Sequence, residues 1–135
     1  MGNIPLLPLL DGGRMSDQKL FLAVFLGSKD NARMKAWSEL PEAERHAKEK
    51  EGIAAWHAWV EKHKAVIVDF GGPLGKTKSI GERGITDASN ALTGFTVVRS
   101  ASHEEAAKMF ENHPHFAFFP GESVEVMPVL PIPGA

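Results

Sequence analysis

Residues 19–26 read KLFLAVFL, a nearly unbroken apolar run that Gly27-Ser28 ends at once. Eight residues are short for a helix and ordinary for a strand. Apolar side chains at almost every position point to a strand buried on both faces. The remainder of the chain therefore has to build a sheet around this strand and cover it.

The polar stretch 29–40 predicts only a short helical turn near residues 32–37. Pro41 then suits a helix start, and Glu42 and Glu44 suit the positive N-terminal end. From there to His63 the spacing is helical. Ile53, Trp56, Val60 and His63 share one face, and Ala55 and Trp59 widen the stripe. Gly52 costs about 1 kcal/mol against alanine in such a helix, so a break there stays an open alternative. Residues 65–70 (AVIVDF) form a β-branched strand that Gly71-Gly72-Pro73 ends. Residues 78–86 predict a weaker strand interrupted by Gly81 and Gly84, and 87–93 a polar loop. Residues 95–99 (FTVVR) form another strand. Ser102-His103-Glu104-Glu105 has the pattern of a capping box. The helix it opens turns Ala106, Ala107 and Phe110 inward and stops before Pro114. Residues 123–129 (SVEVMPV) alternate like a last strand, with Pro128 marking an edge or an end.

The resulting order is β-α-β-β-α-β, the split βαβ arrangement of α+β ferredoxin-like domains. Such a sheet carries its helices on one face. No internal repeat supplies cover for the other, and a second copy of the same sheet is the simplest cover. A homodimer is the expectation.

With 135 residues there is room for one domain and one core. The expected division is a flexible extension at 1–17, the folded domain at 18–130 and a tail at 131–135. Met15 opens a stretch that reads like a natural start, so residues 1–14 are set aside as an upstream extension. A net charge of −2, with six scattered histidines, gives no basic surface for nucleic acid or membrane. No run approaches a spanning helix. The absence of cysteine excludes disulfides, thiolate nucleophiles and Cys-based metal sites, and fits a cytoplasmic protein. Nothing calls for a cofactor.

AVIVDFGGPLG, ALTGFTVVRSASHEEAAKMF, HPHF and GESVEVMPVLP together resemble the YCII-related family, which includes the DGPF-type proteins. The resemblance spans about residues 19–131. It implies a ferredoxin-like fold, a dimeric α/β barrel and a cleft between helix and sheet. It also implies, for one branch, elimination chemistry on hydroxylated aromatics with a His–Asp pair moving protons. That pair does not carry over. The family's helix histidine falls on Ala55, and His57 lies two residues on, about 200° around the helix. The family's acidic segment falls on His113-Pro114-His115.

His113 and His115 are accordingly the candidate acid and base, since two imidazoles flanking a proline can exchange protons near neutral pH. They are alternatively a helix stop whose histidines cap backbone groups. No third ligand accompanies them, so no metal site is assigned. Trp56 and Trp59 either floor a pocket for a flat ligand or belong to the core. Asp69, ending an apolar strand, is either a buried base or a partner for turn amides. Gly72 and Pro73 at the strand end, and Asn90 in the following loop, complete the candidate pocket. Gly75-Lys76-Thr77 imitates a phosphate-binding loop, but Phe70 stands where the first glycine belongs and no helix follows.

Two functions from different classes fit these residues. One is a small-molecule enzyme performing His-assisted proton transfer or elimination on a small cyclic or aromatic substrate. The other is a non-catalytic dimeric module that binds a small ligand or a partner protein.

Overall fold

The computed structural model describes residues 18–134, so the expectations for 1–17 lie outside the described residues. Strand β1 (Lys19–Leu26) is followed by helices α1 (Ala32–Ser38) and α2 (Glu42–His63) and a single 3-10 turn (Lys64–Val66). Then come β2 (Ile67–Pro73), β3 (Thr77–Gly81), β4 (Gly84–Ala88) and β5 (Leu92–Ser100). Helices α3 (His103–Lys108) and α4 (Pro114–Ala117) precede β6 (Ser123–Pro128).

The main sheet has the order β2-β5-β1-β6, with every neighbouring pair antiparallel. Removing β3 and β4 leaves the β-α-β-β-α-β order of a ferredoxin-like α+β fold. The apolar run of β1 sits in the interior of the sheet, between β5 and β6. Pro128 lies on the edge strand, where its missing N–H breaks no ladder.

Residues 78–86 are not one interrupted strand. They form most of a separate two-stranded hairpin in which Ile80 pairs with Ile85 and Gly81 with Gly84. The left-handed value falls on Gly84 (φ 102°) and not on Glu82 or Arg83, as when a glycine follows a tight turn and restores the strand twist. The glycines that looked like interruptions mark the two ends of a turn.

One face of the sheet carries the core. Phe21, Ala23 and Phe25 of β1 and Val98 of β5 pack with Ala106 and Phe110. Trp56, Trp59 and Val60 of α2 close over them. The stripe of α2 is rotated from its expected centre: Ile53 is 52% exposed, and Gly52 is the buried residue. The helix does not break there. A Cβ on Gly52 would stand 2.6 Å from the Phe119 ring, so glycine is where the segment after α4 crosses the helix. On α3, Ala106 faces inward while Ala107 is exposed, and Met109 takes part in the packing instead. Ser102 caps α3 as the pattern predicts, its hydroxyl accepting the Glu105 N–H at 3.1 Å.

The other face of the sheet presents Leu20, Leu22 and Val24 beside Val97, Phe95 and Met127, and none of them belongs to the core cluster. Among the described residues no helix covers this face. None is long and apolar enough to cross a membrane.

Candidate functional site

Strand β2 does not stop at Phe70; it continues to Pro73 through two register shifts against β5. Gly71, at φ 65°, lies within the second shift, where any Cβ would overlap the Phe95 carbonyl oxygen. Splaying at this end of the sheet leaves space beneath α2. The space is a cavity of about 330 Å³, near the lower end for small-ligand sites.

Trp56, Trp59, Gly72, Pro73 and His115 all contribute to its wall. So do Phe25 and Thr96, which were not singled out from the sequence. Asp69 and Asn90 do not. The exposed Asp69 carboxylate accepts the Gly71 N–H at 2.8 Å, which is the turn-amide reading of that residue. Asn90 accepts the Leu92 N–H at 2.9 Å and donates to the Thr77 hydroxyl at 3.3 Å, outside the cavity.

The two histidines occupy different positions. Pro114 does not stop a helix but begins α4, and His113 is its N-cap. His113 Nδ1 accepts the His115 backbone N–H at 3.0 Å. An accepting Nδ1 leaves the ring proton on Nε2. That nitrogen is fully enclosed and, among the described residues, is the one buried side-chain nitrogen or oxygen without a partner. Its surroundings are aromatic: the Trp56 and Trp59 rings cross the imidazole at 89° and 69°, with centroids 4.6 and 4.7 Å away. Burial, then the neighbouring His115 and His63, push its pKa down to about 3. His113 is therefore neutral throughout the physiological range, and the exchange of protons expected of it near pH 7 does not fit this position.

His115 is 8% exposed and meets the cavity. Its Nε2 lies 2.8 Å from the Leu26 carbonyl oxygen. A carbonyl only accepts, so Nε2 carries the proton and Nδ1 holds the free lone pair. Burial lowers its pKa, the Leu26 bond opposes this, Arg33 lowers it further and Glu122 raises it. Arg33 is held nearby by a bond to the Phe116 carbonyl.

Trp59 Nε1–H donates to the Met109 carbonyl at 2.8 Å, tying α2 to the end of α3. That bond makes Trp59 both a core residue and a cavity wall. Among the described residues no group of three or more histidines and carboxylates is placed to hold a metal.

Fold and cavity together define a ferredoxin-like α+β protein with a small apolar pocket between helix and sheet. No family model matches the chain, and no curated protein matches it. Among solved structures, 5-chloro-2-hydroxyhydroquinone dehydrochlorinase from Burkholderia phenoliruptrix AC1100, in complex with 2,5-dihydroxybenzoquinone, is similar at a TM-score of 0.44. It shares 21% sequence identity, over 80% of this chain and 90% of that one.

Proposed function

We propose that this protein is a small-molecule enzyme that removes a proton from a small cyclic or aromatic substrate, with His115 as the base. One observation carries the reading. A neutral imidazole, its Nε2–H committed to Leu26, offers a lone pair at the wall of an apolar cavity flanked by two tryptophans. A flat ring stacked by Trp56 and Trp59 would bring a C–H or O–H to Nδ1. The lone pair takes the proton, the imidazolium keeps its bond to Leu26, and the proton then returns to the product or to water. His113 stays neutral and fixes the backbone that carries His115. A lowered pKa suits this role, because His115 remains unprotonated as the pH falls through the usual histidine range.

The expected result is hydrogen–deuterium exchange at acidic ring positions when wild-type protein is incubated in D2O with a panel of small cyclic ketones and phenols. His115→Ala should lower the exchange rate about 10²- to 10⁴-fold, the usual contribution of a positioned base. The acid limb of the wild-type pH–rate profile should fall below pH 6.5, in keeping with the lowered pKa. Binding without exchange would support the second reading, a non-catalytic ligand-binding module. That reading draws on a specific observation: neither imidazole is hydrogen-bonded to a carboxylate.

The same proposal places a second copy of the chain on the open sheet face. Leu22, Val24, Phe95 and Val97 form an apolar strip there that this chain does not cover. Sedimentation of the wild type should give twice the chain mass, and Leu22→Lys should give the monomer. A monomeric wild type at micromolar concentration would remove the dimer from the reading.

A further inference from the structure

Two groups of exposed apolar side chains lie beyond the ends of the main sheet. The first is on the β3–β4 hairpin. Directly opposed residues of a ribbon share a face, so the exposed Ile80 and Ile85 stand beside the Lys78–Asp87 ion pair (2.5 Å). A two-stranded ribbon is marginal in water unless its apolar face is packed against something. The second group is the tail after β6, where Leu130 is 73% and Ile132 75% exposed. Pro131 and Pro133 have no N–H to donate, so the tail offers side chains and not a strand edge. No charged residue follows Glu125. Strand register places the two groups at opposite corners. Pro73 of β2 pairs with Gly94, which pairs with Phe25, so the hairpin springs from the β2 edge at the Leu26 end of β1. Pro128 pairs with Phe21 on the β6 edge, at the other end. Pro128 and Pro73 are therefore about 20 Å apart along the diagonal of the sheet.

We propose that each β3–β4 hairpin clasps the tail of a second copy of the chain, with Ile80 and Ile85 packed on Leu130 and Ile132. The clasp rests on the reading of the open sheet face as the contact between two copies, and it fixes how those copies are oriented. A two-fold axis between the open faces can run along the strands, across them or along either diagonal. Along the strands, it lays each hairpin over the partner's β6 edge at Ser123, a polar corner. Across the strands, it lays each hairpin over the Ile67 end of the partner's β2. Both arrangements leave the tail uncovered. Along the diagonal that joins hairpin and tail, hairpin meets hairpin. That contact would press each Lys78–Asp87 pair against its own copy and take both pairs out of water. Along the other diagonal, each hairpin lies over the partner's tail. The isoleucines then meet an uncharged, proline-bounded surface, the ion pair stays at the wet rim, and the contact is made twice in each dimer. Leu22, Val24, Phe95 and Val97 fill the sheet contact between the two clasps.

The chain has no cysteine, so engineered thiols report the contact without background. The test uses full-length Ile85→Cys and Leu130→Cys, both at exposed positions where folding is not at stake. Each variant alone, and the two mixed, are treated with a short bismaleimide and run on a denaturing gel. The mixture should give a covalent dimer that joins residue 85 of one copy to residue 130 of the other, confirmed by peptide mass mapping. Neither variant alone should cross-link. In sedimentation equilibrium, Ile85→Lys should weaken the dimer about tenfold or more, as the loss of one buried isoleucine in each clasp requires. Efficient cross-linking of Ile85→Cys alone would show that hairpin meets hairpin and would overturn the clasp. A dimeric wild type with no link in the mixture, or with Ile85→Lys at wild-type affinity, would also overturn it and leave the sheet contact standing. A monomeric wild type would remove the dimer itself, and the clasp with it.

Discussion

The protein is expected to lose about 2 kcal/mol of stability between pH 7 and pH 5 through His113 alone. His113 titrates near its ordinary value of 6.5 in the unfolded chain and at about 3 in the folded one. Between those values the unfolded state holds a proton that the folded state does not. Stability therefore rises with pH across that window and falls as the solution is acidified, by about 1.4 kcal/mol per unit once the pH is well below 6.5. His115 adds in the same direction, because its folded pKa is also lowered. The window from pH 6.5 to 5 lies above ordinary carboxylate titration, so the slope there belongs chiefly to histidine.

Urea unfolding at half-unit pH steps measures this slope. His113→Asn is the informative variant, since asparagine also caps a helix N-terminus by accepting a backbone N–H. It should be less stable than the wild type at every pH because it empties part of an aromatic box. Its slope between pH 6 and 5 should nevertheless be shallower by about 1.2 kcal/mol per unit. An unchanged slope in this variant would show that His113 is not the buried neutral group described above.

The different residues of the site were legible to different degrees, for physical reasons. Strand β1 is plain in KLFLAVFL, but an apolar side chain on both faces conceals which side carries the helices. Phe25 therefore could not be assigned to a pocket in advance. The hairpin β3–β4 was obscured because Ile80 and Ile85 are 72% and 69% exposed, so no burial pattern accompanies the strands. Gly81 and Gly84, flanking Glu82-Arg83, were the available signal for a turn. Thr96 could have been found: Gly94, Thr96 and Val98 alternate onto the core face of β5, and a polar residue there needs a partner or a purpose. His113 and His115 stood out as a pair, yet their roles depend on burial and tautomer. Those follow from Leu26, the Trp56–Trp59 pair and α4, three segments far apart in the chain.

Gly121→Ala is expected to be the single-methyl change that disturbs His115 most directly. Gly121 is buried directly behind His115, and its N–H donates to the His115 carbonyl at 3.0 Å. A Cβ there would overlap both the imidazole edge bearing Nε2 and the His115 carbonyl oxygen. The ring can move only by breaking its bond to Leu26, and the carbonyl only by distorting the turn between α4 and β6. Overpacking of this kind costs about 1–3 kcal/mol, and the lost Leu26 bond about 1 kcal/mol more. A destabilisation of about 3 kcal/mol and the loss of any His115-dependent exchange should result. Part of the damage passes through the imidazole, so His115→Ala should relieve it. In a double-mutant cycle the two changes should be less than additive by about 1 kcal/mol or more, well beyond the scatter of independent sites. Strict additivity would mean that Gly121 acts on the backbone alone. The tautomer of His115, and with it the lone pair on Nδ1, would then need another support than the glycine behind it.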